Sequence, residues 1–219
     1  FIGFGYRSCL NCHYNPYGNG PLTDYGRGVG ATAISDNAFY PKGWTEQEIS
    51  ERSGFMYSKP SQEKWRLGAN YRGLSLTSGY TSESENQEYI HMFLNINVVY
   101  RPKKNNDEII VMEIGYVPRA RGTDDGSEHQ YRSREHYYGK RVNQKLGYYI
   151  GLMDKIYGIR IPDHNLYSRS QTNIAMNDQT HGVLVHYSSE HFELGVQPFM
   201  GNLSQSEDFR QVGFNTRVG

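Results

Sequence analysis

From Lys64 almost to its end the chain alternates side-chain character with a period of two, and this pattern restricts the fold more than any other feature. Ile90, Met92, Leu94, Ile96, Val98 and Tyr100 make one unbroken apolar row, opposed by Tyr89, His91, Phe93, Asn95, Asn97, Val99 and Arg101. After the turn RPKKNNDE, Ile110, Met112, Ile114 and Tyr116 continue the pattern. Trp65, Leu67, Ala69 and Tyr71 precede it; Leu146, Tyr148, Ile150 and Leu152 follow, as do Val212, Phe214, Thr216 and Val218. Val183, Val185 and Tyr187 pair across SSEH with Phe192, Leu194 and Val196 as a hairpin. The spacing predicts about seven antiparallel strands, several near the 9 to 11 residues that cross a bilayer.

Alternation alone fits two architectures. In a soluble β-sandwich the apolar rows face a core, whereas in an outer-membrane barrel they face lipid and the polar rows line a wet interior. Long strands, apolar rows that include or end in Tyr, and tight turns alternating with longer polar loops favour the barrel. The 19 Tyr and 24 Gly suit aromatic girdles and turns, at a mean hydropathy of -0.74 that hides barrel strands. The expected fold is all-β: an antiparallel up-and-down transmembrane β-barrel over residues 63–219, incomplete here, with further strands expected after Gly219. No run of about 18 apolar residues marks a transmembrane helix.

Residues 1–62 are different. They show no sustained period, and NPYGNGPLTDYGRGVG at 15–30 is turn chemistry throughout. One short helix is predicted, because Thr45 followed by Glu48 is a capping box. The chain carries 23 basic and 23 acidic side chains with no basic stripe, which removes nucleic acid as a partner.

Chemistry is concentrated in Cys9-Leu10-Asn11-Cys12-His13, the C-x-x-C-H spacing of c-type haem attachment. Two thiols add to the two vinyl groups on one porphyrin edge, and the next residue presents its imidazole to the iron. Cys9 and Cys12 are the only cysteines, so a zinc site of three or four thiolates is excluded. A structural disulfide and a redox dithiol are the remaining alternatives, although YNPYGNG after the pair is not the helix that a thioredoxin-type dithiol begins.

The stretch CLNCHYNPYGNGPLTDYGR resembles the N-terminal haem segment of Gram-negative outer-membrane proteins in which a c-type cytochrome motif precedes a porin-like β-barrel. IYGIRIPDHNLYSR at 156–169 is similar to a segment of the barrel part of such proteins. The resemblance implies one covalent haem c per chain, with Cys9 and Cys12 as thioether residues and His13 as proximal iron ligand. It also implies outer-membrane lipid and other cytochromes or envelope proteins as partners, with the haem segment at the periplasmic side or in the lumen.

The sixth ligand is open: a second His or a Met gives an electron-transfer centre, and a vacant position allows reaction. His91 and His186 are candidates because alternation places them on polar faces, and Met56 because it lies in the irregular segment. Arg66, Arg72, Arg101, Glu113, Arg160 and Arg217 read mainly as a solvated polar face. Single-electron transfer at the outer membrane is the first functional expectation. A porin-like channel or envelope scaffold with a haem plug is the second, and a peroxidase-type or nitric-oxide-handling haem enzyme the third.

Overall fold

The computed structural model describes residues 8–60, 63–79, 86–103, 107–118, 129–158, 171–172, 174 and 178–219. Arg160, the charged stretch at 119–128 and most of the segment at 156–169 lie outside them. Eight strands form one antiparallel sheet in sequence order: β1 (Trp65–Ser78), β2 (Asn86–Tyr100), β3 (Glu108–Pro118), β4 (His129–Arg141), β5 (Leu146–Met153), β6 (Thr180–Ser188), β7 (Glu193–Phe199) and β8 (Gly213–Val218). Each strand pairs with its sequence neighbour. The sheet is open, with β1 and β8 as its edges.

The strand missing from the sequence expectation is β4. It carries Arg132, Arg134 and Glu135 on its run and Ser133 and His136 between them, so no apolar row announces it. A register shift between Glu113 and Ile114 of β3 accommodates one extra residue on β4. The first four strands, of 14, 15, 11 and 13 residues, and the 9-residue β6 reach the length that crosses a bilayer; β5, β7 and β8, of 8, 7 and 6, are shorter.

The two faces are inverted relative to a soluble sheet. Ile96, Ile114 and Ile150, from the apolar rows, are 54%, 52% and 50% exposed, while Asn95, Asn97 and Glu135 opposite them are 5%, 4% and 0% exposed. Cross-strand register keeps each row on one face: Tyr100, Ile110, Tyr138, Ile150 and Val183 stand side by side across five strands on the outer face. Arg66, Val99, Val111 and Tyr137 do the same on the inner face.

Aromatic residues bracket the outer apolar band. Towards the turns at 101–107, 142–145 and 189–192 stand the pairs Trp65–Tyr100, Tyr138–Tyr148 and Tyr187–Phe192. Towards the opposite end Tyr71, His91, Tyr116, His129 and Tyr131 form a continuous run of ring contacts, and the Tyr71 hydroxyl meets that of Tyr89. The eleven steps from Tyr89 to Tyr100 on β2 span about 37 Å along the strand, or about 28 Å at a 40° tilt, close to the height of a barrel's lipid-facing band.

The irregular segment occupies the inner face. It contains a 3-10 turn (Cys9–Asn11), helix α1 (Asp24–Val29) running into a π-turn (Gly30–Ile34), and helix α2 (Glu46–Glu51). The predicted capping box is present at Thr45 and Glu48. Tyr14 and Tyr17 join Val99, Val111, Tyr137, Tyr149 and Leu184 in the core, so the segment and the sheet share one apolar centre. The chain after β5 also turns inward: Gln197 of β7 accepts from the Ile156 amide at 2.8 Å and donates to the Asp154 carbonyl.

The arginines on the inner face are buried and bonded, contrary to the expectation of a solvated wall. Arg66, Arg101 and Glu113 are 3%, 2% and 4% exposed. Asp24, at the start of α1, bridges Arg66 and Arg101 at 2.8 and 3.0 Å. Glu113 pairs with Arg134, and Arg217 with Glu193. Arg72, further along β1, is exposed.

Candidate haem-attachment site

The C-x-x-C-H stretch forms a closed turn. Ser8 opens it, its hydroxyl accepting from the Leu10 amide, and the amides of Cys12 and His13 both donate to the Cys9 carbonyl, at 3.1 and 2.8 Å. A second strand of backbone holds the turn from the side: His13 bridges Leu22, the Thr23 amide donates to the Cys12 carbonyl, and the Thr23 hydroxyl donates to the Asn11 carbonyl. The same hydroxyl accepts from the Gly26 amide and so caps α1. Thr23 therefore fixes the spatial relation between the two cysteines and the helix behind them.

Two glycines let the backbone come this close. A Cβ at Gly26 would lie 2.2 Å from the Cys12 carbonyl oxygen, so α1 packs its bare backbone on the second cysteine. Gly18, at φ +84°, returns the chain over the site; its Cβ position is 3.5 Å from the Cys9 sulfur and 4.0 Å from the His13 ring. Asn15 supports that return by accepting from the Tyr17 amide at 2.9 Å.

Around Cys9 the sheet contributes charge. His186 on β6 is 1% exposed and its Nε2 meets Glu193 Oε1 at 2.9 Å; the other Glu193 oxygen is 3.2 Å from Arg217 on β8. The Arg217 guanidinium lies over Tyr17, whose ring also makes an edge contact with His186. Burial pushes the Cys9 thiol upward, Glu193 adds to this and Arg217 opposes it. Burial raises Cys12 as well. The Tyr17 hydroxyl is raised chiefly by burial and then by Glu193.

In donor chemistry the residues match those of a covalent haem. Both thiols are free and half-buried, not joined to each other, and the imidazole next to the second is held by a backbone bridge. Cys9, Cys12 and His13 lie together on this one turn. The three candidate sixth ligands are dispersed. A register shift between Arg72 and Gly73 turns His91 to the outer face, where it stacks with Tyr71 and Tyr116, so the polar-face assignment of His91 is corrected. Met56 is 81% exposed in a 3-10 turn (Phe55–Tyr57), remote in the segment from the cysteine turn. His186 alone joins the cluster, through Tyr17.

Sequence reading missed Tyr17, Asp24 and Glu193. Their partners were visible as inward-facing arginines, but pairings such as Asp24 with Arg101 join residues far apart in the chain. No protein-family model, curated protein or solved structure matches this chain.

Proposed function

We propose that the chain is an outer-membrane c-type haem protein that passes single electrons at the membrane. The observation that carries this reading is the combination of a C-x-x-C-H turn packed on the polar inner face of a sheet with an exposed apolar outer face between two aromatic rows. An exposed apolar band is unfavourable in water and is what a lipid-facing wall requires.

When bound, haem c supplies a one-electron iron couple. Cys9 and Cys12 would hold it by thioethers, and His13 would supply the iron's proximal ligand. Thr23 orients the turn, and Tyr14 and Tyr17 anchor it in the sheet. Leu10, His13, Tyr14 and Thr23 lie against Asp107, Lys140 and Arg141 at the short-turn end of the strands, while Tyr17 also meets Met153 and Ile156, where the longer connection at 154–179 begins. Barrels place short turns on the periplasmic side, so the haem segment faces the periplasm. A single haem does not bridge an apolar layer about 30 Å thick, so a second electron carrier is part of the account.

The dense packing of Tyr14 and Tyr17 against the sheet also favours a plug role, in which the segment obstructs a channel. Reduced-minus-oxidised spectra and carbon monoxide binding of the detergent-extracted protein test electron transfer. A sharp low-spin spectrum insensitive to carbon monoxide supports it. A high-spin spectrum shifted by carbon monoxide replaces it with a haem enzyme or sensor.

A further inference from the structure

A large cleft in the described residues is lined by none of Cys9, Cys12 and His13. It has a volume of about 830 Å³ and opens between the plug and the β1 edge. Its wall includes Phe39, Tyr40 and Tyr57, and its floor includes Arg27, Ser53 and Asn97. The size lies in the range of small-molecule sites.

Aromatic surface is organised here. Tyr40, Trp44 and Tyr57 contact one another at centroid distances of 6.3, 5.6 and 5.4 Å, and the Tyr57 hydroxyl donates to the Phe39 carbonyl. Met56 and Tyr57 hold φ values of 50° and 63°, a left-handed conformation that costs energy in residues other than glycine. The strained pair presents an aromatic ring to the cleft instead of burying it.

The floor carries an uncompensated cation. Arg27 donates to the carbonyls of Ser53 and Leu67, at 3.3 and 2.7 Å, and makes no ion pair with any described residue. Its buried Nε has no hydrogen-bond partner, and neither does the buried Ser53 hydroxyl. The Asp24 carboxylate favours the Arg27 charge from a distance but is itself bonded to Arg66 and Arg101. Burial, then the neighbouring Arg66, disfavours the charged guanidinium. Two orphaned donors beneath aromatic walls are complementary to an anionic group on a flat ring.

We infer that this cleft binds a planar aromatic anion, its ring against Tyr40 and Tyr57 and its carboxylate or phosphate on Arg27 and Ser53. The inference does not depend on haem at Cys9 and Cys12. One ligand chemistry has two sources: a free aromatic acid, or a porphyrin with its own carboxylates.

The test is binding of 2-naphthoate to the full chain, followed by its fluorescence, with 2-naphthylmethanol and cyclohexanecarboxylate as controls for charge and ring. The wild type binds naphthoate and binds both controls at least about tenfold more weakly, as loss of a charge-assisted contact or of stacking implies. Arg27→Gln weakens naphthoate by about tenfold or more. Because Arg27 also ties two carbonyls, a second variant is needed. A Cβ at Gly30, which lines the cleft, meets nothing within 4 Å, so Gly30→Phe fills the space without disturbing the plug and abolishes binding at an unchanged melting temperature. Competition by a free porphyrin dicarboxylate identifies the porphyrin source, and its failure to compete identifies the free acid. No binding to the wild type, equal binding of the neutral or saturated probe, or undiminished binding to Gly30→Phe overturns the inference.

Discussion

The guanidinium of Arg217 lies 4.8 Å from the centroid of the Tyr17 ring, so the last strand of the sheet reaches the residue that follows closely behind the cysteine turn. Glu193 holds that guanidinium from the neighbouring strand and binds His186 with its other oxygen. The cysteine turn is thereby tied to β6, β7 and β8 on one side, and through Asp24 to β1 and β2 on the other. The irregular segment is thus fastened to both halves of the sheet.

Asp24 is the strongest of these ties. Replacing it by Asn removes the carboxylate that bridges two almost fully buried arginines. Breaking a buried pair costs about 3 to 5 kcal/mol, and because Asp24 itself is partly exposed the expected loss is about 2 to 4 kcal/mol. Urea unfolding followed by tyrosine fluorescence measures it. A loss below about 0.5 kcal/mol, the scale of a neutral surface substitution, contradicts the docking described here.

Tyr17 and Gly195 form a test of fit. The Tyr17 hydroxyl lies where a Cβ at Gly195 would stand, and it has no hydrogen-bond partner. Tyr17→Phe is expected to change stability by less than about 1 kcal/mol, whereas Gly195→Ala overpacks and costs about 1 to 3 kcal/mol. The double variant recovers part of that loss. Simple additivity of the two changes contradicts the contact.

The raised Cys9 thiol gives a chemical readout in the haem-free protein. Glu193 lifts that thiol and Arg217 lowers it. Glu193→Gln removes the first and releases the second, so more thiolate exists at a given pH and alkylation of Cys9 at pH 8 becomes faster. The rate-against-pH curve shifts to lower pH, with the plateau unchanged. A curve that does not move places Glu193 away from the site.

The capping box of α2 sets an acid limit on that helix. Backbone and side-chain hydrogen bonds from Thr45 hold the Glu48 carboxyl below the usual range. A depressed folded value contributes stability that is present above the ordinary glutamate value and is lost as pH falls through the folded one. Thr45→Ala removes the hydroxyl's share of this contribution and leaves the Thr45 backbone amide donating, so the wild type and the variant differ more at neutral pH than in acid, where only the loss of the cap on the Glu48 amide remains. A difference that persists unchanged at acid pH assigns the effect to something other than Glu48.

Lipid contact is tested on the outer face. Ile114 is half-exposed in the centre of the apolar band, between Ile96 on β2 and Ser133 on β4. Ile114→Lys is expected to cost about 2 to 4 kcal/mol in a bilayer and to reduce membrane assembly. In water the same exposed position tolerates lysine. Equal folding in vesicles and improved solubility without them contradict the lipid-facing assignment.

Much of this arrangement is legible in the sequence for physical reasons. A row of apolar residues at alternate positions survives any register, so seven strands can be read from it. β4 escapes because both of its faces are polar or aromatic: Arg134 pairs with the buried Glu113, Glu135 is itself buried, and Ser133 bonds His136. His91 is misassigned because a single bulge reverses the face of every residue beyond it, and bulges leave no mark in the pattern. The cysteine turn is local and is read directly. Its docking is not, since Tyr17 meets His186 and Asp24 meets Arg101 only after the chain has folded across many strands.

The central claim is most directly tested by haem staining after denaturing electrophoresis of the full chain isolated from a membrane fraction. The account predicts that haem stays on the denatured wild-type chain, with an intact mass increased by one haem, and is lost from Cys9→Ser and from Cys12→Ser together. A wild-type chain that reaches the membrane folded and carries no covalent haem contradicts it.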